Sequence, residues 1–316
     1  MTAAAGWAIL GRGLEFLSRH ATWWLAGGVL IGLALPPLAD FARPALAPAI
    51  FLSLTLALLR LDFAEVVAYL RRPGLLIVFT AFSLLASPLV MAGLVSAIGL
   101  PAGLVAGLVL MAAGPPITAA PAFALILGLD AAFAIAAVVL AHLLVPLTLP
   151  LLALWLLDLD LNIGLGEFMG RLALFIAAAF ALAAGLKRWL LDPAQLRRHA
   201  THIDGLAVVG LVVFAVAIMA GVTDFFIARP GYALLAVVAA FIANAGFQVL
   251  GACCFLASGR RLAFTAGHMA GNCNMGLVLA VLADRAAIEL VVFFALAQLP
   301  MYMLPVIANR IYRRFL

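Results

Sequence analysis

Two stretches rich in Pro, Gly and Asn each fall in the middle of an apolar segment long enough to cross a bilayer: Ala113–Pro121 (AGPPITAAP) and Ala266–Gly276 (AGHMAGNCNMG). Proline removes a backbone donor, and in lipid no water takes the groups it frees. Such breaks persist only where protein buries them or where they line a wet cavity. The two interruptions also correspond. Asp130 and Asp284 close the two segments, 154 residues apart, and the same offset takes Pro146 to Pro300, Thr118 to Asn272 and Ala120 to Asn274. The chain reads as one unit built twice.

What surrounds the interruptions fixes the class. With 68% apolar and 10% charged residues and a mean hydropathy of +1.27, the chain is expected to be a polytopic membrane protein. A helix needs about 20 apolar residues to cross the hydrocarbon core. Ten such spans are expected, near 22–38, 44–60, 74–97, 102–127, 131–156, 168–186, 204–223, 231–257, 262–282 and 286–308. The first reads as a span rather than a signal peptide, because its apolar stretch runs to Leu38 without a small-residue cleavage site.

Basic residues orient these spans. With the N-terminus inside, all but four of the 18 Lys and Arg fall on cytoplasmic segments, the exceptions being Arg43, Arg171, Arg229 and Arg285. The outer side also collects Asp158, Asp160 and Glu167. Both termini are expected in the cytoplasm of a bacterial-type inner or plasma membrane. The net charge of +5 then reflects juxtamembrane anchors facing anionic lipid and calls for no nucleic-acid partner. Cys253, Cys254 and Cys273 lack metal-ligand spacing and read as small packing residues.

Ten spans divide into an N-terminal five-helix repeat, 1–160, and a C-terminal one, 161–316. An odd number per repeat inverts the second copy. Arg72-Pro73-Gly74 and Arg229-Pro230-Gly231 echo this division, and at the same offset Ser87 meets Asn244. The basic segment from Leu186 to Thr201, with Pro193, is expected to be an interfacial helix joining the copies.

Corresponding breaks in both halves of an inverted repeat point to a midplane substrate site, where half-helix N-termini suit an anionic group. Candidate substrate-binding residues are Pro115, Pro116, Thr118, Pro121, His268, Asn272 and Asn274. Asn272 and Asn274 offer amide donors and acceptors to a solute, or cap the half-helices the glycines leave open. His268 is either a proton relay or a neutral imidazole bonded to backbone. Candidate coupling or cavity residues are His142, Asn244, Gln248, Glu289 and Gln298. His142 is positioned to donate to a carbonyl freed by Pro146, and Glu289 to pair with Arg285 four residues earlier. Asn244 and Gln248 share a helix face, and Gln298 reads as interhelical glue or cavity lining.

This arrangement resembles the bile acid:sodium symporter family and its wider superfamily of arsenite, auxin and organic-acid carriers. Pro146-Leu147-Thr148-Leu149-Pro150 is similar to the end of that family's fifth helix, and Asn274-Met275-Gly276-Leu277 to the end of its ninth-helix motif. The resemblance implies an all-α fold in which the broken fourth and ninth helices cross at the midplane. It further implies a panel domain of spans 1, 2, 6 and 7 and a core domain of spans 3–5 and 8–10, with substrate between them. Where sodium-coupled members carry oxygen-bearing side chains, this chain has Ala119, Ala120 and Pro121 in the fourth span and Ala134 and Val138 in the fifth. The acidic and Gln ligands are likewise missing from Met269–Asn274. Methyl groups cannot ligate a hard cation. The usual sodium sites are therefore absent, which leaves backbone carbonyls at the breaks as an unconventional cation site and the proton as the other coupling candidate.

The function expected is secondary active transport of a small organic, anionic solute by alternating access. The rival is a channel-like or receptor protein that keeps the fold without a transport cycle, recognisable by steady single-channel currents or by binding without flux. No Ser/His/Asp set, metal-ligand motif or phosphate-cradling loop sits at membrane depth, which argues against an enzyme.

Overall fold

The computed structural model of the chain describes residues 3–60, 67, 69, 73–157, 163–189, 192–282 and 285–316. Arg71, Arg72, Asp158, Asp160 and Asp284, used in the sequence reading, lie outside these residues. The described residues are helical, without strands. In chain order the helices are α1 Ala3–Arg19, α2 Ala21–Ala34, α3 Pro36–Ala42, α4 Leu46–Arg60, α5 Pro73–Ala81, α6 Ser87–Ser96, α7 Ala102–Ala113, α8 Ala120–Ile126 and α9 Ala131–Leu157. They continue as α10 Leu165–Trp189, α11 Pro193–Arg198, α12 Ala200–Ala217, α13 Val222–Ala228, α14 Pro230–Cys254, α15 Arg260–Gly271, α16 Met275–Leu282, α17 Ile288–Leu296 and α18 Gln298–Phe315.

Among the described residues, seven helical stretches are long and apolar enough to cross a membrane: Pro36–Arg60, Pro73–Ser96, Ala131–Leu157, Leu165–Trp189, Ala200–Ala228, Pro230–Cys254 and Ile288–Arg310. The protein is an integral, multi-pass membrane protein. Seven rather than ten qualify because three expected spans are divided. Pro36 follows Leu35 and separates α2 from α3, since the residue before a proline is pushed out of the helical region. The other two divisions are the interruptions, which leave α7 and α8, then α15 and α16, as short pieces.

The chain forms two compact units. The first comprises Met1–Leu61 and Phe175–Thr223. Its centre is α12, which packs against α1, α2 and α4. Glycines let the backbones close up, for a Cβ at Gly205 would strike the backbone of Leu14, and one at Gly32 would come within 2.8 Å of Val216 O. In lipid the helices gain nothing by leaving water, so close packing of this kind and interhelical hydrogen bonds carry the association. Ser53 Oγ donates to Ala49 O and Ala207 O, and Thr223 Oγ1 to Leu33 O at 2.7 Å. Helix α1 stands apart from the ten expected spans, because its apolar residues are too interspersed with Arg12, Glu15 and Arg19 to read as one. The expected single interfacial helix over Leu186–Thr201 is instead divided. α10 runs on to Trp189, and Asp192 opens α11 with a capping box, accepting from Gln195 N at 2.6 Å while Gln195 Oε1 accepts from Asp192 N.

The second unit comprises Asp62–Leu174 and Asp224–Leu316. Phe79, Phe133, Phe293 and Phe294 are fully buried, with Phe79 and Phe133 edge to face at 5.4 Å. Helix α14 packs along α15, where Gly251, Gly267 and Gly271 replace side-chain bulk with backbone. Asp130 caps α9 by accepting from Phe133 N, takes a hydrogen bond from Tyr69 on its other oxygen, and donates its own N–H to Thr265 Oγ1. Arg261 adds a bond to Leu129 O. The end of the first interrupted segment is thereby tied to the start of α15.

Candidate functional site

Both interruptions meet inside the second unit. α7 ends at Ala113, Gly114 turns into extended backbone (φ −67°, ψ 150°), and Pro115 and Pro116 carry the extension on. α15 ends at Gly271, and Asn272 leaves helical geometry with φ −108° and ψ 86°. The two extended pieces form an antiparallel bridge between Pro116 and Cys273. Ile117 N donates to Asn272 O at 2.9 Å, and Asn274 N donates to Pro115 O at 2.7 Å. This register explains why two prolines are tolerated there. Only the carbonyl of Pro115 is used, and Pro116 stands at the position whose N–H the pattern does not need. Each break supplies what the other would otherwise leave unpaired in a medium without water.

A polar network is built around this bridge. Asn274 Oδ1 accepts from Leu277 N at 3.1 Å, the bond that caps α16, and its Nδ2 reaches His142 Nε2 at 3.4 Å. Asn272 Nδ2 donates to His268 O at 2.7 Å and approaches His268 Nδ1 at 3.3 Å. Its Oδ1 accepts from Asn244 Nδ2 at 3.2 Å, and the same Nδ2 donates to Gly271 O at 2.7 Å. Gln248 Nε2 donates to Asn244 Oδ1 at 2.6 Å, and Tyr312 O–H donates to Gln248 Oε1 at 3.3 Å. Among the described residues, three buried polar side-chain atoms have no partner: Ser87 Oγ, His268 Nε2 and Gln298 Oε1.

The structure thus brings Pro115, Pro116, His268, Asn272, Asn274, His142, Asn244 and Gln248 into one bonded cluster. Thr118 lies half-buried in the turn after the bridge, and Pro121 stands in the first turn of α8, where its missing N–H costs nothing. His268 lies on α15, fully buried, with its ring 5.6 Å from that of Phe123. Both asparagines act as caps, Asn274 at the start of α16 and Asn272 on the last turn of α15. Replacing Asn274 with Ala is expected to lower stability by about 1–3 kcal/mol, from a lost cap and an unpartnered His142 Nε2. Thermal unfolding in detergent measures it.

Three residues differ from the sequence reading. His142 bonds through Nδ1 to Val138 O at 2.8 Å, one turn earlier, whereas the carbonyl that Pro146 deprives of its donor is that of His142 itself. Glu289 pairs with Arg229 at 2.9 Å, and Arg285 with Glu167 at 3.0 Å. The supposed spacing of one turn does not exist, because the helix begins only at Ile288. Of the two roles expected for Gln298, glue between spans is not seen: its Nε2 returns to Phe294 O, one turn back in the same span. The Arg229 side chain is 61% exposed, which limits the pair with Glu289 to about 1 kcal/mol or less. Glu289→Gln is therefore expected to shift melting only slightly and to leave the pH profile of uptake unchanged.

Tyr312 and Thr265 carry no signal in the sequence. Each gains its place from contacts far along the chain or from a buried environment, which no local pattern marks.

No curated protein sequence matches the chain at a significant level. The model of a transporter family matches residues 47–229, a range that contains the first interruption and ends before α14. The chain belongs to the sodium bile acid symporter family.

Proposed function

We propose that this chain is a secondary active transporter of a small organic anion, working by alternating access. In this reading it has ten spans arranged as two inverted five-helix repeats, 1–160 and 161–316, with α7–α8 and α15–α16 as the broken fourth and ninth spans. The observation that carries it is the backbone bridge between the interruptions, surrounded by buried amides and imidazoles. Such an arrangement is tolerated at membrane depth where it serves a solute. The first compact unit corresponds to a panel and the second to a core. The orientation proposed is the one the basic loops favour, with both ends of the sequence in the cytoplasm of a bacterial-type membrane. An anion is favoured because α16 directs its positive end to the crossing and because the imidazole and amide groups there offer N–H donors.

Coupling through the family's usual sodium sites does not fit these residues. Ala120, Ala134 and Met269 are fully buried and Val138 nearly so, and none supplies oxygen. The carbonyls of Pro115 and Asn272 already accept backbone hydrogen bonds. The test is uptake into proteoliposomes from a panel of carboxylates, with sodium and pH gradients imposed separately. Uptake without sodium is expected. If a sodium gradient alone drives it, the reading of the missing ligands is wrong; if no carboxylate is bound or exchanged at any pH, the transport reading fails.

A further inference from the structure

Hydrogen-bond direction within the buried network is forced from two points. A carbonyl oxygen accepts and never donates, so the atom of Asn244 facing Gly271 O and the atom of Asn272 facing His268 O must both be amide nitrogens. Once these are set, the remaining links follow. Asn244 Oδ1 accepts from Gln248, Gln248 Oε1 accepts from Tyr312, and Asn272 Oδ1 accepts from Asn244. Asn272 Nδ2 spends one hydrogen on His268 O and points the other at His268 Nδ1. The Nδ1 of His268 is therefore an acceptor and its ring proton resides on Nε2, the atom left without a partner among the described residues. His142 is fixed the opposite way. Its Nδ1 faces Val138 O and must carry the proton, while its Nε2 accepts from Asn274, whose amide is oriented by the cap on Leu277.

We infer that Tyr312, Gln248, Asn244 and Asn272 are a positioning chain that holds His268 as a neutral Nε2–H donor, and that this N–H is offered to an acceptor oxygen of the transported solute. The second half of this inference rests on the transport reading. Asn272 acts through His268, since both its amide hydrogens and its oxygen are engaged. A solute seated at His268 must then present a carboxylate or carbonyl oxygen, and one offering only donors is refused, because a buried N–H facing another donor stays unpaired. The links all run one way, so each amide polarises the next toward His268.

The test uses the full chain, labelled with ¹⁵N-histidine in lipid nanodiscs. Among its five His, two neutral imidazoles of opposite tautomer are expected, His268 protonated on Nε2 and His142 on Nδ1. Substituting Asn272→Asp replaces the donor facing His268 Nδ1 with an acceptor, so His268 should move its proton to Nδ1 while the His142 signals stay in place. Asn244→Asp sets acceptor against acceptor at Asn272 Oδ1 while His268 O still holds the Asn272 amide nitrogen, so the His268 proton should shift toward Nδ1 less than in Asn272→Asp. Acetate, the smallest carboxylate probe, should shift the His268 Nε2 resonance in the unsubstituted protein and lose that effect in Asn272→Asp. A proton on Nδ1 of His268 in the unsubstituted protein, or an Nε2–H that survives both substitutions, overturns the positioning chain. Absence of any acetate shift with the tautomer intact overturns the solute contact. Should the variants fail to fold, seen as loss of the His142 signals, the unsubstituted spectrum alone decides. None of these readings needs flux, so failure here is distinct from failure of uptake in liposomes.

Discussion

Gly271→Val is expected to destabilise the protein by at least about 3 kcal/mol and to abolish uptake. A Cβ at this position would meet Asn244 O and Gln248 Cγ, each at 2.5 Å, and one of those obstacles is backbone that cannot swing aside. Overpacking of a yielding core costs about 1–3 kcal/mol, and an obstruction by helix backbone falls at or beyond the upper end. The bonds at stake run through the same contact, since Gly271 O is an acceptor for Asn244. A control lies on the facing helix, α14. Gly246 is exposed, and a methyl group added there would meet nothing within 4 Å, so Gly246→Ala should be neutral or stabilising by about 0.5–1 kcal/mol. Thermal unfolding followed by size exclusion distinguishes the two. Equal melting temperatures would show that α14 and α15 do not approach as described.

The second large effect is expected at Asn244. Asn244→Leu keeps the side chain's approximate bulk but removes the partner of Gly271 O, of Asn272 Oδ1 and of Gln248 Nε2 at once. A buried polar group left unmade costs about 1–3 kcal/mol, and the three are coupled, so a loss on the order of 3–5 kcal/mol is expected rather than a simple sum. Most of that loss should also appear when Gln248→Leu is made first and Asn244→Leu is added, because Gly271 O and Asn272 Oδ1 are orphaned in either order. If Asn244→Leu melts within about 1 kcal/mol of the unsubstituted chain, the network contributes little and its bonds are incidental.

What can be read from the sequence is local or periodic. The lengths of the apolar segments, the interruption at Gly114–Pro116 and the one at Gly267–Asn274 all follow from residue types within a few positions of each other. The offset of 154 residues links the two breaks, and the bridge joins Pro116 to Cys273, close to that correspondence. Asparagine before an apolar half-helix suggests a cap, and Asn274 supplies one. The misses share a cause. Pairing Glu289 with Arg285 assumes a helix that has not yet begun, and the true partners, Arg229 and Glu167, stand 60 and 118 residues away. For His142 the kind of acceptor is right and the carbonyl wrong, because a histidine reaches the turn before it and not the one its own residue closes. Amide direction in the chain from Tyr312 to His268 depends on which carbonyls lie opposite, and no spacing rule contains that.

The bridge between Pro116 and Cys273 has a consequence for how such a crossing tolerates change. Its two bonds are made by main-chain atoms of Pro115, Ile117, Asn272 and Asn274, so the identities of the side chains in between are open to drift while the meeting of the two segments persists. Length is another matter. One residue inserted or deleted in either segment would slip the pairing by one, so that Pro116, which has no N–H, would face the partner segment in place of Ile117 and the two bonds would be lost. The crossing is therefore a fixed count of residues onto which different ligand chemistries can be written.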